Sequence, residues 1–306
     1  MRICSFLPSA TEIIYALGLE DELYGVTHEC DYPLDAKNKE KLTSSNIPPN
    51  LSSKEIDDQV RNYLQKGKSI YSLDYEALER ARPDVIFTQE LCEVCAVSFG
   101  EISRAASSLP RKPKVISLDT FTLKDILDSI LIVGSECSRS KEASEFVFGL
   151  EQRIEKATLL AGKEYREIKT KVLFLEWVEP LMSGGHWMAE LIGRAGGKDG
   201  FALHGKNSRV IEWKSVKEFA PDLVVVAPCG YNTERAESEA ASLKKLEGWS
   251  DLPAVKNDQV YASDGNAYFS RPGPRIVKGL EILTKILNPK VLDYTFGESD
   301  YKRISI

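Results

Sequence analysis

The sequence predicts an α/β protein of two similar lobes, each built on a mainly parallel sheet and joined by one long helix. Three observations predict it. Short β-branched and aromatic runs alternate with helical periodicity, which requires crossover connections and hence parallel strands. The pattern occurs twice: Pro83-Asp84-Val85-Ile86-Phe87 in the first half is answered by Pro221-Asp222-Leu223-Val224-Val225 in the second. Between the halves, residues 140–168 contain almost no glycine or proline, and Phe146, Leu150, Ile154, Ala157 and Leu160 recur at helical spacing.

The elements follow in order. A short apolar strand at 2–6 leads into a helix, where Ser9 and Glu12 have capping-box spacing and Gly18 supplies the stop. A strand at 24–28, helices at 53–66 and 74–81, and a strand at 85–88 come next. A helix at 99–107, a strand at 114–118 and a helix at 122–133 complete the first half. Some 25 helical residues from 140 onward would reach about 37 Å, enough for a stiff connector. The pattern then restarts: strand 171–177, helix 188–195 ending at Gly196-Gly197, strand 223–227, helix 234–246, strand 259–263 and helix 274–287. These spans predict an N-terminal α/β lobe at 1–138, a connecting helix at 139–168 and a C-terminal α/β lobe with a short tail at 169–306. Both lobes are Rossmann-like.

Composition bounds the function. The chain has 306 residues, with 40 Lys+Arg against 46 Asp+Glu and a net charge of −6. That balance lacks the clustered positive charge of a nucleic-acid binder or of a protein drawn to anionic membranes. No stretch approaches the roughly 20 apolar residues of a membrane span, so no membrane insertion is expected. Ile3-Cys4-Ser5-Phe6-Leu7 is too short for the apolar core of a secretory signal. A cytoplasmic location is therefore expected, or an extracytoplasmic one where a leader precedes this sequence. Six cysteines in a chain of this length do not suggest a disulfide scaffold.

Ligands of open α/β sheets bind outside the carboxyl ends of the strands, so the loops there carry the candidate residues. They include Pro8 and Ser9, the His28-Glu29-Cys30-Asp31-Tyr32-Pro33 stretch, and Gln89 to Cys95. In the second half they are Trp177 to Trp187, Pro228-Cys229-Gly230-Tyr231 and Asp264 to Arg271. Trp177, Trp187, Trp213, Tyr32, Tyr231, Tyr268 and Phe269 lie in or near such loops, where aromatic walls suit a large planar ligand. Trp177 and Trp187 flank Gly184-Gly185 and are the strongest of these. Arg271 suits a ligand carboxylate, amide or phosphate, whereas Arg275 opens an apolar helix and ties it to its lobe. His28 and Cys30 share a face if their strand continues through them, and Cys92 and Cys95 have the spacing that lets two thiolates reach one zinc. These four form a candidate zinc or iron site. His186 or His28 is alternatively an axial ligand to the metal of a corrinoid or haem. Phosphate-loop, dinucleotide-binding, nucleophile-elbow and His-Glu-x-x-His motifs are absent from the sequence, and no catalytic residue is assigned.

Phe6-Leu7-Pro8-Ser9-Ala10-Thr11-Glu12, Arg82-Pro83-Asp84-Val85-Ile86, Ala195-Gly196-Gly197 and Ser270-Arg271-Pro272-Gly273-Pro274-Arg275, in this order, resemble one family. It is that of the solute-binding proteins of cobalamin and ferric-siderophore ABC transporters, within the class III periplasmic-binding, or helical-backbone metal receptor, superfamily. The resemblance extends to about residue 287, and the His28 and Cys92 stretches are similar to a signal-less cobalamin-binding branch. It implies two lobes joined by a rigid helix, with a corrinoid or other iron or cobalt chelate held in the cleft and no catalysis. The ligand-binding residues it implies are Pro8, Ser9, His28, Tyr32, Trp177, His186, Trp187, Tyr231 and Arg271. An ABC permease is the implied partner, with Glu93 and Glu212 as docking carboxylates. The other reading is a cytosolic metalloprotein or enzyme that has rebuilt the cleft around His28, Cys30, Cys92 and Cys95.

Overall fold

The computed structural model describes residues 1–90, 97–162, 169–290 and 293–305. The chain divides into two units. The first comprises Met1–Leu51, Glu55–Thr120 and Lys124–Phe148; the second comprises Ser52–Lys54, Phe121–Leu123 and Gly149–Ile306.

In the first unit, β1 (Ile3–Ser5) feeds α1 (Pro8–Ala16) and β2 (Leu23–Val26). A hairpin-like pair, β3 (Thr43–Ser45) and β4 (Tyr71–Leu73), is separated in sequence by α2 (Ser53–Gln65). Then come α3 (Tyr75–Ala81), β5 (Val85–Thr88), α4 (Phe99–Ser108), β6 (Lys114–Ser117) and α5 (Leu123–Glu136). The sheet runs β2-β1-β5-β6, parallel throughout. Its central strands are buried on both faces, which is why Val85, Ile86 and Phe87 read as an unbroken apolar run. Cys4, Phe6, Ile86, Leu78 and Ile102 pack together on one side of it.

Helix α6 (Ser140–Gly162) carries the chain into the second unit, and the division falls between Phe148 and Gly149 within it. The expected continuation to 168 lies outside the described residues. There follow β7 (Thr170–Trp177), β8 (Met182–Ser183), α7 (Met188–Arg194), β9 (Gly197–Asp199), α8 (Trp213–Phe219) and β10 (Leu223–Val226). The chain ends with α9 (Thr233–Ala240), α10 (Pro253–Lys256), β11 (Val260–Ser263), α11 (Gly265–Tyr268), α12 (Ile276–Leu287) and β12 (Tyr301–Arg303). Here β9, β7, β10 and β11 run parallel, while β8 and β12 pair antiparallel to β7 and β11. The second sheet is therefore mixed at its edges, and the tail adds one of its strands.

The repeated Pro-Asp-apolar pattern has one structural explanation. Arg82 and Ala220 end α3 and α8 in the left-handed region, at φ 46° and 49°. A proline then prevents the helix from resuming. Asp84 and Asp222 each accept a hydrogen bond from the backbone N–H that opens the neighbouring strand, Arg2 at 2.8 Å and Lys171 at 2.9 Å. Each thereby sets the register of the central parallel pair.

Two local expectations are corrected. Ser9 is not an N-cap: Leu7 occupies that position and Pro8, whose fixed φ suits the first helical residue, starts α1. Ser9 and Glu12 are consequently buried inside the helix. The helix expected over 234–246 ends at Ala240 and continues only as a 3₁₀ turn over Ala241–Lys245.

Candidate functional site

In each unit the strand order reverses direction beside its first strand, and the crevice at that reversal is the expected binding position. In the first unit this is the carboxyl end of β1 and β5; in the second it is that of β7 and β10.

At the second reversal stand Trp177, the last residue of β7, and Tyr231, just after β10. Their ring centroids are 5.4 Å apart at 49°. Trp177 is half-buried and its Nε1–H donates to the Glu179 carbonyl at 3.1 Å, which fixes the ring. Tyr231, placed by the sequence in a strand-end loop, is only 3% exposed. The Arg235 guanidinium lies 3.7 Å from its ring centroid and donates to its hydroxyl at 3.0 Å. Burial pushes the Tyr231 hydroxyl pKa up. Tyr231 thus backs Trp177 and leaves the tryptophan as the more accessible ring.

The adjoining loop presents His186. Residues 181–186 and 205–211 run against each other as an irregular ribbon, with Ser183 N–H donating to Arg209 O at 3.0 Å and Ile211 N–H to Leu181 O at 2.9 Å. His186 uses both main-chain groups in it: its N–H donates to Lys206 O at 2.5 Å and its carbonyl accepts from Gly205 N–H at 2.9 Å. That pairing holds His186 at φ 52°, in the left-handed region. Gly185 permits it, because a Cβ there would collide with the backbone of Ser208. The Gly185 N–H is also held, donating to Glu176 Oε2 at 3.2 Å.

The His186 ring lies between Phe121, centroid at 6.1 Å, and Trp187, at 5.4 Å. Burial lowers its pKa below 6.5, opposed by a hydrogen bond to Asn207, and Nε2 is buried with no hydrogen-bond partner. Phe121 and Asn207 were not among the expected residues: Phe121 follows the carboxyl end of β6 and Asn207 lies in the segment that pairs with residues 181–186, both distant in sequence from β7.

Other expected contacts are placed differently from the sequence reading. Trp187 is 6% exposed and its Nε1–H donates to Phe269 O at 3.0 Å, so it forms the wall behind His186. Arg271, at 7% exposed, lies inside the second unit, and Tyr268 and Phe269 are buried. Strand-end loops that fold back over their own core account for these differences. Trp213 is half-buried and donates to Glu247 O at 2.8 Å. Glu212 is exposed and immediately precedes α8. Arg275 directly precedes α12.

In the first unit, β2 stops at Val26, and Cys30 N–H donates back to Thr27 O at 3.2 Å. This turn replaces the strand on which His28 and Cys30 were to share a face. His28 Nδ1 is 2.8 Å from Thr43 Oγ1 and Nε2 is 3.3 Å from Glu29 Oε1. Cys30 is buried, with Sγ 3.1 Å from Thr11 Oγ1 and 3.5 Å from Thr27 Oγ1. Tyr32 is exposed, Pro8 is half-buried and Ser9 is buried. Among the described residues no group of three or more His, Cys, Asp or Glu side chains is placed to hold a metal ion. Cys92, Cys95 and Glu93 lie outside the described residues, as does most of the loop expected to carry them. No helix among the described residues is long and apolar enough to cross a membrane.

Comparison with known proteins gives a consistent answer. A family profile described as periplasmic binding protein matches residues 3–267. An ABC transporter substrate-binding lipoprotein of Bacillus subtilis is 24% identical over 94% of this chain and 80% of its own length. A vitamin B12-binding protein of Vibrio cholerae is 24% identical over 92% of this chain and 86% of its own. Among solved structures, a periplasmic haem-binding protein of Pseudomonas aeruginosa superposes with a TM-score of 0.71 at 19% identity, covering 94% and 93% of the two chains.

Proposed function

The chain belongs to the periplasmic binding protein family, whose members are binding proteins and not enzymes, and from that premise we propose that it carries a metal-chelate macrocycle, foremost a cobalamin-type corrinoid and otherwise a haem or iron chelate. The observation that carries this reading is the aromatic surface at the second unit's strand reversal, where Trp177 rests on Tyr231. Such a surface suits a broad, flat ligand, which gains more from stacking and apolar contact than from many polar anchors. The relatives named for vitamin B12 support the corrinoid; the haem-binding neighbour supports the fold that holds either.

His186 is the proposed polar contact beside the rings. Pro8, Ser9, His28 and Tyr32 stand at the strand ends of the first unit and are its proposed contacts. Tyr231 supports Trp177 and Trp187 supports His186 from behind. The chain is proposed to work outside the cytoplasm as the binding component of an ABC importer, in line with its lipoprotein relative. Exposed Glu212, at the start of α8, is the proposed docking carboxylate of the second unit.

Titration calorimetry with cyanocobalamin, diaquacobinamide, haemin and a ferric siderophore tests the reading. One-to-one saturable binding of at least one macrocycle is expected. Trp177→Ala removes the accessible ring and weakens binding by about 1–2 kcal/mol, a factor of about 5–30. No heat with any of the four ligands, or unchanged affinity in the variant, refutes the proposal.

A further inference from the structure

We infer that the carboxyl-terminal tail, residues 293–304, is a strap that positions the Tyr231 loop, with Asp300 as its positioning residue, and that the strap thereby sets how tightly the aromatic surface holds a ligand. The consequence for binding rests on the macrocycle reading above; the positioning itself is read without any ligand.

The tail touches several elements of the second unit in turn. Lys156 of α6 pairs with Asp293 at 3.2 Å and lies 5.8 Å from the ring centroid of Tyr294. Strand β12 then joins β11, and beyond it Ile304 N–H donates to Val260 O at 2.9 Å. Lys302 pairs with Glu237 of α9, also at 2.9 Å. The tail lies beyond residue 267, where the match to the family profile ends.

A three-residue edge strand has few ladder bonds of its own, and Asp300 supplies the fastening. Its Oδ1 accepts from the Tyr268 hydroxyl and from the Lys278 ammonium, both at 2.6 Å, and its Oδ2 accepts from Gly297 N–H at 3.1 Å. Hydrogen bonds to an ionised group are the strong ones, and a side chain only 13% exposed leaves water little room to compete. The Asp300 carbonyl accepts from Ser263 Oγ at 2.7 Å and from Asp264 N–H at 3.3 Å, which fixes the end of β11.

Both flanks of the Tyr231 loop depend on this fastening. On one side Asp264 caps α11, accepting from Ala267 N–H at 2.6 Å. Helix α11 starts hard against the end of β10: a Cβ on Gly265 would collide with the carbonyls of Ala227 and Pro228. From α11, Asn266 N–H donates to Tyr231 O at 3.2 Å. On the other side the Thr233 hydroxyl donates to Ser299 O at 2.7 Å and ties the first residue of α9 to the tail. From α9, Arg235 covers the Tyr231 ring. Tyr231 is thus held by its main chain from α11 and by its ring from α9, and Trp177 rests on that ring. Loosening Asp300 frees both holds together.

Hydrogen exchange of the ligand-free protein, followed by mass spectrometry, tests the strap. In Asp300→Ala, amides of residues 230–236 and 264–268 are expected to exchange faster by a factor of about 5–30, while those of β7 exchange as in the wild type. Calorimetry with haemin and diaquacobinamide is expected to show affinity about fivefold weaker for whichever binds the wild type. Thr233→Val cuts the tail's bond to α9 alone and gives the same reading at 230–236 should the alanine variant fold poorly. Unchanged exchange at 230–236, or faster exchange with unchanged affinity, overturns the inference and leaves the macrocycle reading standing. Faster exchange throughout, β7 included, marks a general loss of stability and also overturns it. Failure of the wild-type protein to bind either compound overturns the macrocycle reading and this inference with it.

Discussion

Gly185→Ala is the most revealing substitution at the site. The added Cβ would collide with Ser208 N and come within 2.8 Å of Asn207 C and 2.9 Å of Ser208 Cα, all of them backbone atoms. Backbone cannot step aside as a flexible side chain does, so residues 185–186 and 205–208 must part. Parting them breaks the two main-chain hydrogen bonds of His186 and removes Asn207 from its ring. Two hydrogen bonds at about 1 kcal/mol each, with about 1–2 kcal/mol of overpacking, give a loss of about 3–4 kcal/mol. For a folding unit of this size that corresponds to a fall in Tm of about 5–15 °C. Thermal unfolding followed by circular dichroism measures it. A Tm within a degree of the wild type would show that the ribbon opens at no cost, and the account of why His186 is held in place would be wrong.

Three further outcomes follow from the same structure. Arg153→Met removes the two-pronged contact of Arg153 with Glu281, at 2.9 and 2.8 Å, and leaves a buried carboxylate behind; the urea midpoint should fall by an amount equal to about 1–3 kcal/mol, and an unchanged midpoint refutes it. Burial raises the Asp199 carboxyl above 3.8, against hydrogen bonds from Phe201 and Ala202 N–H. Folding therefore favours the protonated acid, whose stabilising contribution is complete below 3.8 and is lost as pH rises through the higher folded value. The stability of the wild type relative to Asp199→Asn should decline from about pH 4 toward neutrality, and a pH-independent difference refutes this. Finally, burial pushes the Cys4 thiol up to about 12 and the Cys137 thiol up to about 11, whereas Cys229 is exposed. Peptide mapping after brief iodoacetamide treatment should find Cys229 alkylated and Cys4 and Cys137 intact until the protein unfolds; rapid labelling of either buried thiol contradicts their placement.

The α/β organisation was legible because its strands are buried on both faces and its helices on one, leaving continuous and periodic apolar runs such as Leu223–Val226 and the apolar face of α6. The paired Pro83-Asp84 and Pro221-Asp222 signals report a shared local device, the staple from aspartate to neighbouring strand. Strands β3 and β4 were not legible. Thr43-Ser44-Ser45 carries little apolar patterning, and its partner lies beyond a 13-residue helix. Strand β12 was missed for a similar reason: an antiparallel edge strand supplied by a tail needs no alternation of its own.

The site was half legible. His186 and Trp177 stood out as residue types in a glycine-containing loop, but the grip of Lys206, Gly205 and Asn207 on His186 arises from irregular backbone pairing, which leaves no period in the sequence. The burial of Trp187, Tyr231 and Arg271 was not legible, because position at a strand end does not say whether a loop turns outward or back over the core. The apposition of His28 and Cys30 failed on a single hydrogen bond, from Cys30 N–H to Thr27 O, that turns the chain where a strand was expected.

The central claim is that this chain is a receptor for a metal macrocycle. Native mass spectrometry of the intact protein mixed in turn with diaquacobinamide, cyanocobalamin, haemin and a ferric siderophore tests it most directly. The account predicts a one-to-one adduct with at least one corrinoid or haem, depleted in Trp177→Ala. Spectra showing only the unliganded chain with every one of these compounds would contradict it.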